Sequence, residues 1–342
     1  MTLEVIYVTR HGFRSNWLVD PSDGTYASTL RSPTGLPADP ALTAHGVDQA
    51  RELGQRLLTV VPRVERVYSS PYYRCLQTVE PYMRSQTLSL EEKKVRAEHG
   101  IAEWYGSTGG KFQHPVPAPI TTLDSLFRDM LDLNYRPVVV PDRHGESIDE
   151  LHNRVAVAME KVIEQCDRDG VKAILLCTHA AVVIALGRVL TGNMPENVAE
   201  VDDFQAFTCG LSIYQRRANE AKSKGRTKAA SSATNDGGGD DARTADHAQT
   251  LLETGAEAAG TGAELRWRGG KGVKGGWDCQ LNSDCSHLSG GEERGWRFSG
   301  EEAFDTDTDR NKSMLDDAGV VRSGTVQVVE GKTTKETGGP RL

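Results

Sequence analysis

Arg10-His11-Gly12 stands directly behind a short, β-branched apolar run, residues 3–9, and that placement gives the triplet chemical meaning. A neutral imidazole beside a fixed cation can attack a phosphoryl group and hold it covalently. Two later segments repeat the arrangement. Ser69-Ser70-Pro71-Tyr72-Tyr73-Arg74 follows apolar residues 64–68, and Thr178-His179 ends the apolar run that starts at Ala173. The loop Gly100-Ile101-Ala102-Glu103-Trp104-Tyr105-Gly106 adds one acid among aromatics. A phosphoryl group spreads charge over several oxygens, so its transfer rests on positioning and electrostatic stabilisation. Arginines supply bidentate, permanently charged donors. A histidine nucleophile must be neutral at its attacking nitrogen, with the other ring nitrogen fixed by a hydrogen bond. A carboxyl that protonates the leaving oxygen needs a raised pKa, which burial beside Trp104 and Tyr105 is expected to give it. No cluster in this region has metal-ligand spacing, so neither metal nor other cofactor is expected.

These residues need elements to hold them. The three apolar runs read as buried parallel strands of an α/β fold, whose carboxyl ends form the crevice where ligands bind. Ser-Ser-Pro reads as a helix start with serine as its cap, which puts Arg74 one turn inside. Residues 42–61 read as an amphipathic helix with Ala50, Leu53, Leu57, Leu58 and Val61 on its apolar face. Residues 148–166 read as another, facing inward through Leu151, Val155, Ala158, Val162 and Ile163. Residues 18–41 are a Pro/Gly/Ser/Asp-rich loop at the mouth of the pocket. Residues 112–142 open with prolines, include a helix-like stretch at 123–133, and read as a cap insertion that sets substrate choice. A strand near 211–214 closes the unit. His45 and His152 lie in or beside helices and read as surface or structural residues.

Together Arg10-His11-Gly12, Leu42-Thr43 with Gly46, Gln49 and Ala50, Ser69-Ser70-Pro71 with Arg74 and Gln77-Thr78, and Thr178-His179 resemble the histidine phosphatase superfamily, the phosphoglycerate-mutase-like fold. The resemblance covers about the first two-thirds of the chain and implies a three-layer α/β sandwich with a mostly parallel sheet. It implies that His11 is the nucleophile that becomes phosphohistidine, and that Arg10, Arg74 and His179 clamp the phosphate. Glu103 is the best match for the general acid, with Glu98 and Glu146 as alternatives. Many mutases continue Arg-His-Gly with Glu-Ser and an asparagine; here Phe13-Arg14-Ser15-Asn16-Trp17 follows. Arg14 resembles a branch in which another arginine joins the phosphate pocket, and Asn16 is counted with it as a phosphate contact. A phosphatase is therefore favoured over a glycolytic mutase. Ala180-Ala181 replaces the glycines commoner after the second histidine, and alanine leaves room for the pocket.

Composition bounds the rest. A net charge of -8 argues against nonspecific nucleic-acid binding, so none is expected of the phosphatase domain. No stretch approaches a membrane span, and the chain opens on a strand, not a basic-then-apolar leader. Cys75, Cys166, Cys177, Cys209, Cys279 and Cys285 are scattered, as reduced thiols of a cytoplasmic or nuclear protein are. Four stretches follow: a phosphatase domain over 1–215, a disordered linker over 216–263, a short β-rich interaction segment over 264–305 and a disordered acidic, polar tail over 306–342. Arg216-Arg217 with Lys222, Lys224 and Arg226 reads either as a nuclear localisation patch or as a solvated charge run. Trp267, Trp277 and Trp296 put aromatic anchors into a segment too small for its own core, which predicts a partner. Cys279, Cys285 and His287 fit no zinc spacing. Leu288-Ser289-Gly290-Gly291-Glu292-Glu293-Arg294-Gly295-Trp296 resembles the C-terminal segment of the phosphatase-bearing subunits of fungal transcription factor TFIIIC, where part of a β-barrel is shared with a sister subunit. Three functions are carried forward. The first is a phosphomonoesterase acting on a small phosphomonoester or a phosphoprotein. The second is a non-catalytic assembly subunit tethered through 264–305. The third is a protein-tyrosine-type phosphatase, since Gly-Ile-Ala-Glu-Trp resembles one branch with that activity.

Overall fold

The computed structural model describes residues 2–298 apart from 20–22, 29, 86–93, 199 and 219–265. Its centre is a six-stranded sheet built from β1 (Val5–Arg10), β4 (Arg66–Ser69), β5 (Val95–Ala97), β6 (Ala173–Thr178), β7 (Leu211–Arg216) and β8 (Trp277–Asp284), in the order β5-β4-β6-β1-β7-β8. The first four are mutually parallel, while β7 runs antiparallel to both β1 and β8. Alternation along β1 divides the core. Ile6 and Val8 face one apolar cluster, Val5 and Tyr7 the other. On the first face lie α4 (Ile148–Asp169) and α5 (Ala180–Thr191); on the second lie α1 (Ala44–Leu57), α2 (Tyr73–Ser85) and α3 (Ile120–Leu126). This is the three-layer, mostly parallel sandwich that the motifs imply.

Local chemistry fixes the elements. Thr43 Oγ1 accepts from the Gly46 amide to cap α1, and Ser147 with Glu150 forms a reciprocal capping box on α4. Several sequence expectations are corrected. The α1 helix stops at Leu57, so its periodicity lapses: Val60 turns inward, while Val61 is 91% exposed and Leu58 also faces solvent. The helix in the cap insertion stops at Leu126, and Asp129 takes a left-handed φ of 62° that no helix tolerates. Leu123, Phe127, Met130 and Leu131 still reach the core. Inside the loop 18–41, β2 (Trp17–Val19) and β3 (Tyr26–Ser28) form a two-stranded ribbon.

The largest departure lies at the C-terminal side. The segment 264–305 was expected to stand apart and seek a partner. Residues 266–298 instead add β8 to the sheet and bury Trp267, Trp277 and Trp296 within the same core cluster as α4 and α5. The cover that such a small segment needs comes from its own chain. Trp267 stacks on His152, and Trp277 lies under the Arg216 guanidinium, 5.2 Å from Cζ to the ring centre. Arg216 itself belongs to β7 and pairs with Asp167 at 2.7 Å, while Arg217 pairs with Asp278 at 2.7 Å. These two therefore form ion pairs at the end of β7 and are not the start of a linker or a free basic patch. The rest of that basic run, the linker from residue 219 and the tail 306–342 lie outside the described residues.

This architecture makes a stability prediction. Trp277→Ala removes a fully buried indole and is expected to cost about 3–5 kcal/mol. In chemical denaturation of the 342-residue chain the main transition, reported by far-UV circular dichroism, should shift accordingly. An unshifted transition would mean that β8 is not part of the core.

Candidate active site

Register brings three strand ends together. Arg10 pairs with Thr178 across β1 and β6, and Ser69 pairs with Cys177 across β4 and β6. The residue after each strand continues the match, since the His11 amide donates to Thr178 O and the Ser70 amide to Cys177 O, both at 2.9 Å. His11, His179 and Ser70 thus emerge side by side at one edge of the sheet. The imidazoles of His11 and His179 meet edge to face, with centroids 5.4 Å apart.

The loop that carries His11 is held from below. Its Gly12 amide donates to Thr78 Oγ1 (3.0 Å) and its Phe13 amide to Gln49 Oε1 (2.9 Å). Gly46 lets α1 approach so closely that a Cβ there would sit 2.0 Å from Phe13 O. His11 Nδ1 lies 2.8 Å from the carbonyl of Gly12, which can only accept. Nδ1 therefore carries the proton and Nε2 keeps its lone pair. Burial lowers the His11 pKa well below its ordinary value, and Arg74, Arg10, His179 and Arg14 push it further down. His11 is a neutral imidazole ringed by cations.

Arg74 is completely buried; α2 starts at Tyr73, after Ser-Ser-Pro and not at it, so Arg74 is the second residue of the helix and lies in its first turn rather than one turn inside. Its Nη1 donates to Asp39 Oδ1 (3.2 Å) and Ala38 O (3.2 Å), its Nη2 to Glu103 Oε2 (2.8 Å), and its guanidinium lies over the Tyr72 ring, 4.7 Å from the centre. Nδ1 of His179 is 3.1 Å from both Arg74 Nη2 and Glu103 Oε2. Burial draws the His179 pKa down, but Cys75 and Glu103 outweigh it and leave it raised. For Glu103 burial opposes charge, yet His179 and then Arg74 overcome it and hold the carboxyl far below the carboxylate range. This corrects the expectation that aromatic neighbours raise it. Trp104 turns its indole N–H to Glu146 O, and Tyr105 stacks on His114. The partners that dominate Glu103 are cations.

Of the three candidate acids, Glu103 is the one that meets Arg74 and His179. Glu98 accepts from the Gly100 and Val138 amides and from the Tyr135 hydroxyl, and Glu146 pairs with Arg154 at 2.7 Å. Arg10 donates through Nη1 to Ala206 O (2.8 Å) and to Arg294 O. Arg14 is buried and acts electrostatically on both His11 and Glu103. Asn16 is exposed and accepts from Arg294 Nη1 (3.2 Å), which places it on the rim and not among the converging cations. His45 bonds Glu293, and His152 bonds Ile148 O, both away from the cluster. Among the described residues no group of three or more His, Cys, Asp and Glu is arranged to hold a metal ion, and no helix is long and apolar enough to cross a membrane.

Sequence reasoning missed two residues. Asp39, buried in the mouth loop, accepts from Tyr73 N at 2.9 Å as well as from Arg74, and so does the capping work assigned to serine. Ser70 Oγ is 2.7 Å from His179 Nε2 but 3.5 Å from the Tyr72 amide, because the buried imidazole nitrogen claims it. An aspartate in a Pro-rich loop carries no signal of its range, whereas the second serine of Ser-Ser-Pro does carry one: its register opposite Thr178-His179.

The chain is 36% identical over 223 residues to the transcription factor tau 55 kDa subunit of Saccharomyces cerevisiae, covering 63% of this chain and 48% of the yeast protein. It is 32% identical over 223 residues to the mouse ubiquitin-associated and SH3 domain-containing protein A (57% of this chain, 34% of that protein), and 30% identical over 219 residues to the Drosophila melanogaster ecdysteroid-phosphate phosphatase (57% and 28%). The match thus spans about half the length of the yeast relative and about a third of the other two. The family model for the histidine phosphatase superfamily (branch 1) matches residues 6–226, well over half of the sequence. The chain belongs to the histidine phosphatase superfamily, branch 1.

Proposed function

We propose that this protein is a phosphomonoesterase that works through a phosphohistidine at His11. The observation that carries the reading is the neutral, Nδ1-protonated His11 set among Arg10, Arg14, Arg74 and His179. Its Nε2 lone pair attacks phosphorus while the cations take up charge on the phosphoryl oxygens. The leaving oxygen departs with a proton, and water then attacks the phosphohistidine, regenerating His11 and releasing inorganic phosphate. Glu103 is the proton donor and then the base for water. In the free site it is ionised against Arg74 and His179. A bound phosphate competes for those two cations, so Glu103 loses stabilisation of its charge and takes up a proton as substrate enters. Small phosphomonoesters and phosphoproteins, phosphotyrosine among them, are the substrate classes this chemistry serves.

A second reading, a subunit of transcription factor TFIIIC working in the nucleus, is favoured by the 36% identity to the yeast tau subunit. Its tether is not the tryptophan set, which the chain buries itself. In this role the phosphatase fold also serves as a platform. Affinity purification of the tagged full chain from its own cells should recover a sister subunit, and elution of the chain alone would refute the assembly role.

The catalytic reading makes two kinetic predictions. His11→Ala should abolish turnover of p-nitrophenyl phosphate with the fold intact by circular dichroism, and turnover equal to wild type would overturn the reading. The second concerns pH. Because Glu103 starts far below the carboxylate range and must be protonated to act, kcat/KM for an alkyl monoester should fall as pH rises, while His11 stays neutral throughout. Glu103→Gln should lose about 100-fold on the alkyl ester and flatten that slope. It should lose far less on p-nitrophenyl phosphate, whose leaving group needs no proton. Equal losses on both esters would remove Glu103 from the acid role.

A further inference from the structure

Arg10 is positioned by a residue 284 places away. Its Nη1 donates to two carbonyls, Ala206 O and Arg294 O. The Arg294 carbonyl points there because Arg294 holds a left-handed backbone, φ 52°, which a non-glycine residue keeps only when its surroundings impose it. The Arg294 guanidinium lies over the Phe13 ring, 4.1 Å from the centre, and donates to Asn16 Oδ1 at 3.2 Å. Glu293 O accepts from the Thr208 amide (3.1 Å), and Thr208 bridges to Arg10. The Glu293 carboxylate accepts from His45 Nε2 (2.7 Å) and Gln49 Nε2 (3.0 Å), and Gln49 is the residue that holds Phe13 N. Two residues later, Trp296 packs edge to face on Trp104, the neighbour of Glu103.

We propose that Arg294 is a positioning residue of the phosphatase site. Its side chain clamps on Phe13 and Asn16, the clamp fixes its left-handed backbone, and its carbonyl then sets the guanidinium of Arg10 for phosphate. The site is therefore incomplete without a segment that the chain supplies from beyond residues 219–265. Sequence reading assigns that segment to docking; here it reaches the catalytic loop itself. The proposal rests on the phosphatase reading for its consequence in turnover, but phosphate binding tests it separately.

The test uses the full chain and orthovanadate, a phosphate mimic, titrated by calorimetry, together with p-nitrophenyl phosphate kinetics and thermal unfolding. Arg294→Ala and Phe13→Leu each remove one half of the clamp while keeping every cationic side chain of the pocket. Each should weaken vanadate binding and raise KM by about tenfold, since small misplacement of a clamping group has large effects. The double variant should be no worse than either single one, because both break the same contact. Arg294→Ala with vanadate affinity within twofold of wild type overturns the proposal. So do losses that multiply in the double variant, or that track the fall in unfolding temperature across the three proteins. A wild type that binds vanadate but turns over no ester would sink the catalytic reading and leave this one standing.

Discussion

A fully buried guanidinium governs this structure. Arg74 is removed from water, and a buried charge persists only with partners that replace its hydration. Asp39 and Glu103 supply them, at 3.2 and 2.8 Å, and His179 closes the group. The network explains why a loop rich in proline must fold back onto α2, since Asp39 reaches both Arg74 and the Tyr73 amide. It explains why Glu103 is ionised although desolvation opposes its charge. Under the proposed mechanism it also sets the order of events, because an anion that enters must compete with carboxylates already in place. In that mechanism phosphate binds by exchange of partners and Glu103 is protonated in the same event.

The sheet makes the exchange local. Parallel β1, β6 and β4 are neighbours in register, so the residues that follow them are brought to one edge without any loop having to search for its position. The remaining alignment comes from hydrogen bonds to the His11 loop: Thr78 on the Gly12 amide, Gln49 on the Phe13 amide, and the Thr43 amide on the Phe13 carbonyl at 2.9 Å. Thr43, Gln49 and Thr78 therefore act on the backbone of the loop that carries His11. A small change in α1 or α2 is transmitted to His11 through three short bonds.

What the sequence discloses is governed by range. His11, Arg74 and His179 are legible because each follows an apolar run, and a strand end in an open α/β sheet is a place where ligands bind. The helix at Ile148–Asp169 is legible for its period and its Ser147/Glu150 box. Asp39 is not, because its partner lies 35 residues on and nothing local distinguishes it from a turn residue. The carbonyl of Arg294 is invisible in principle, since any residue has one; only the left-handed backbone and the stack on Phe13 give it a role. The three tryptophans were legible as anchors, but the surface they cover was not. Pairing of β7 with β8 joins Arg216 to Trp277 across residues 219–265, a stretch whose composition had suggested a boundary.

A covalent bond between phosphorus and His11 is the step from which the proposed chemistry follows. Wild-type protein mixed with a labelled monoester, quenched within milliseconds and digested, should yield a phosphopeptide containing residue 11 whose label is lost in acid and kept in alkali, as a phosphoramidate requires. Label on another residue, or single-turnover inversion at phosphorus with no labelled protein at any time point, would contradict it.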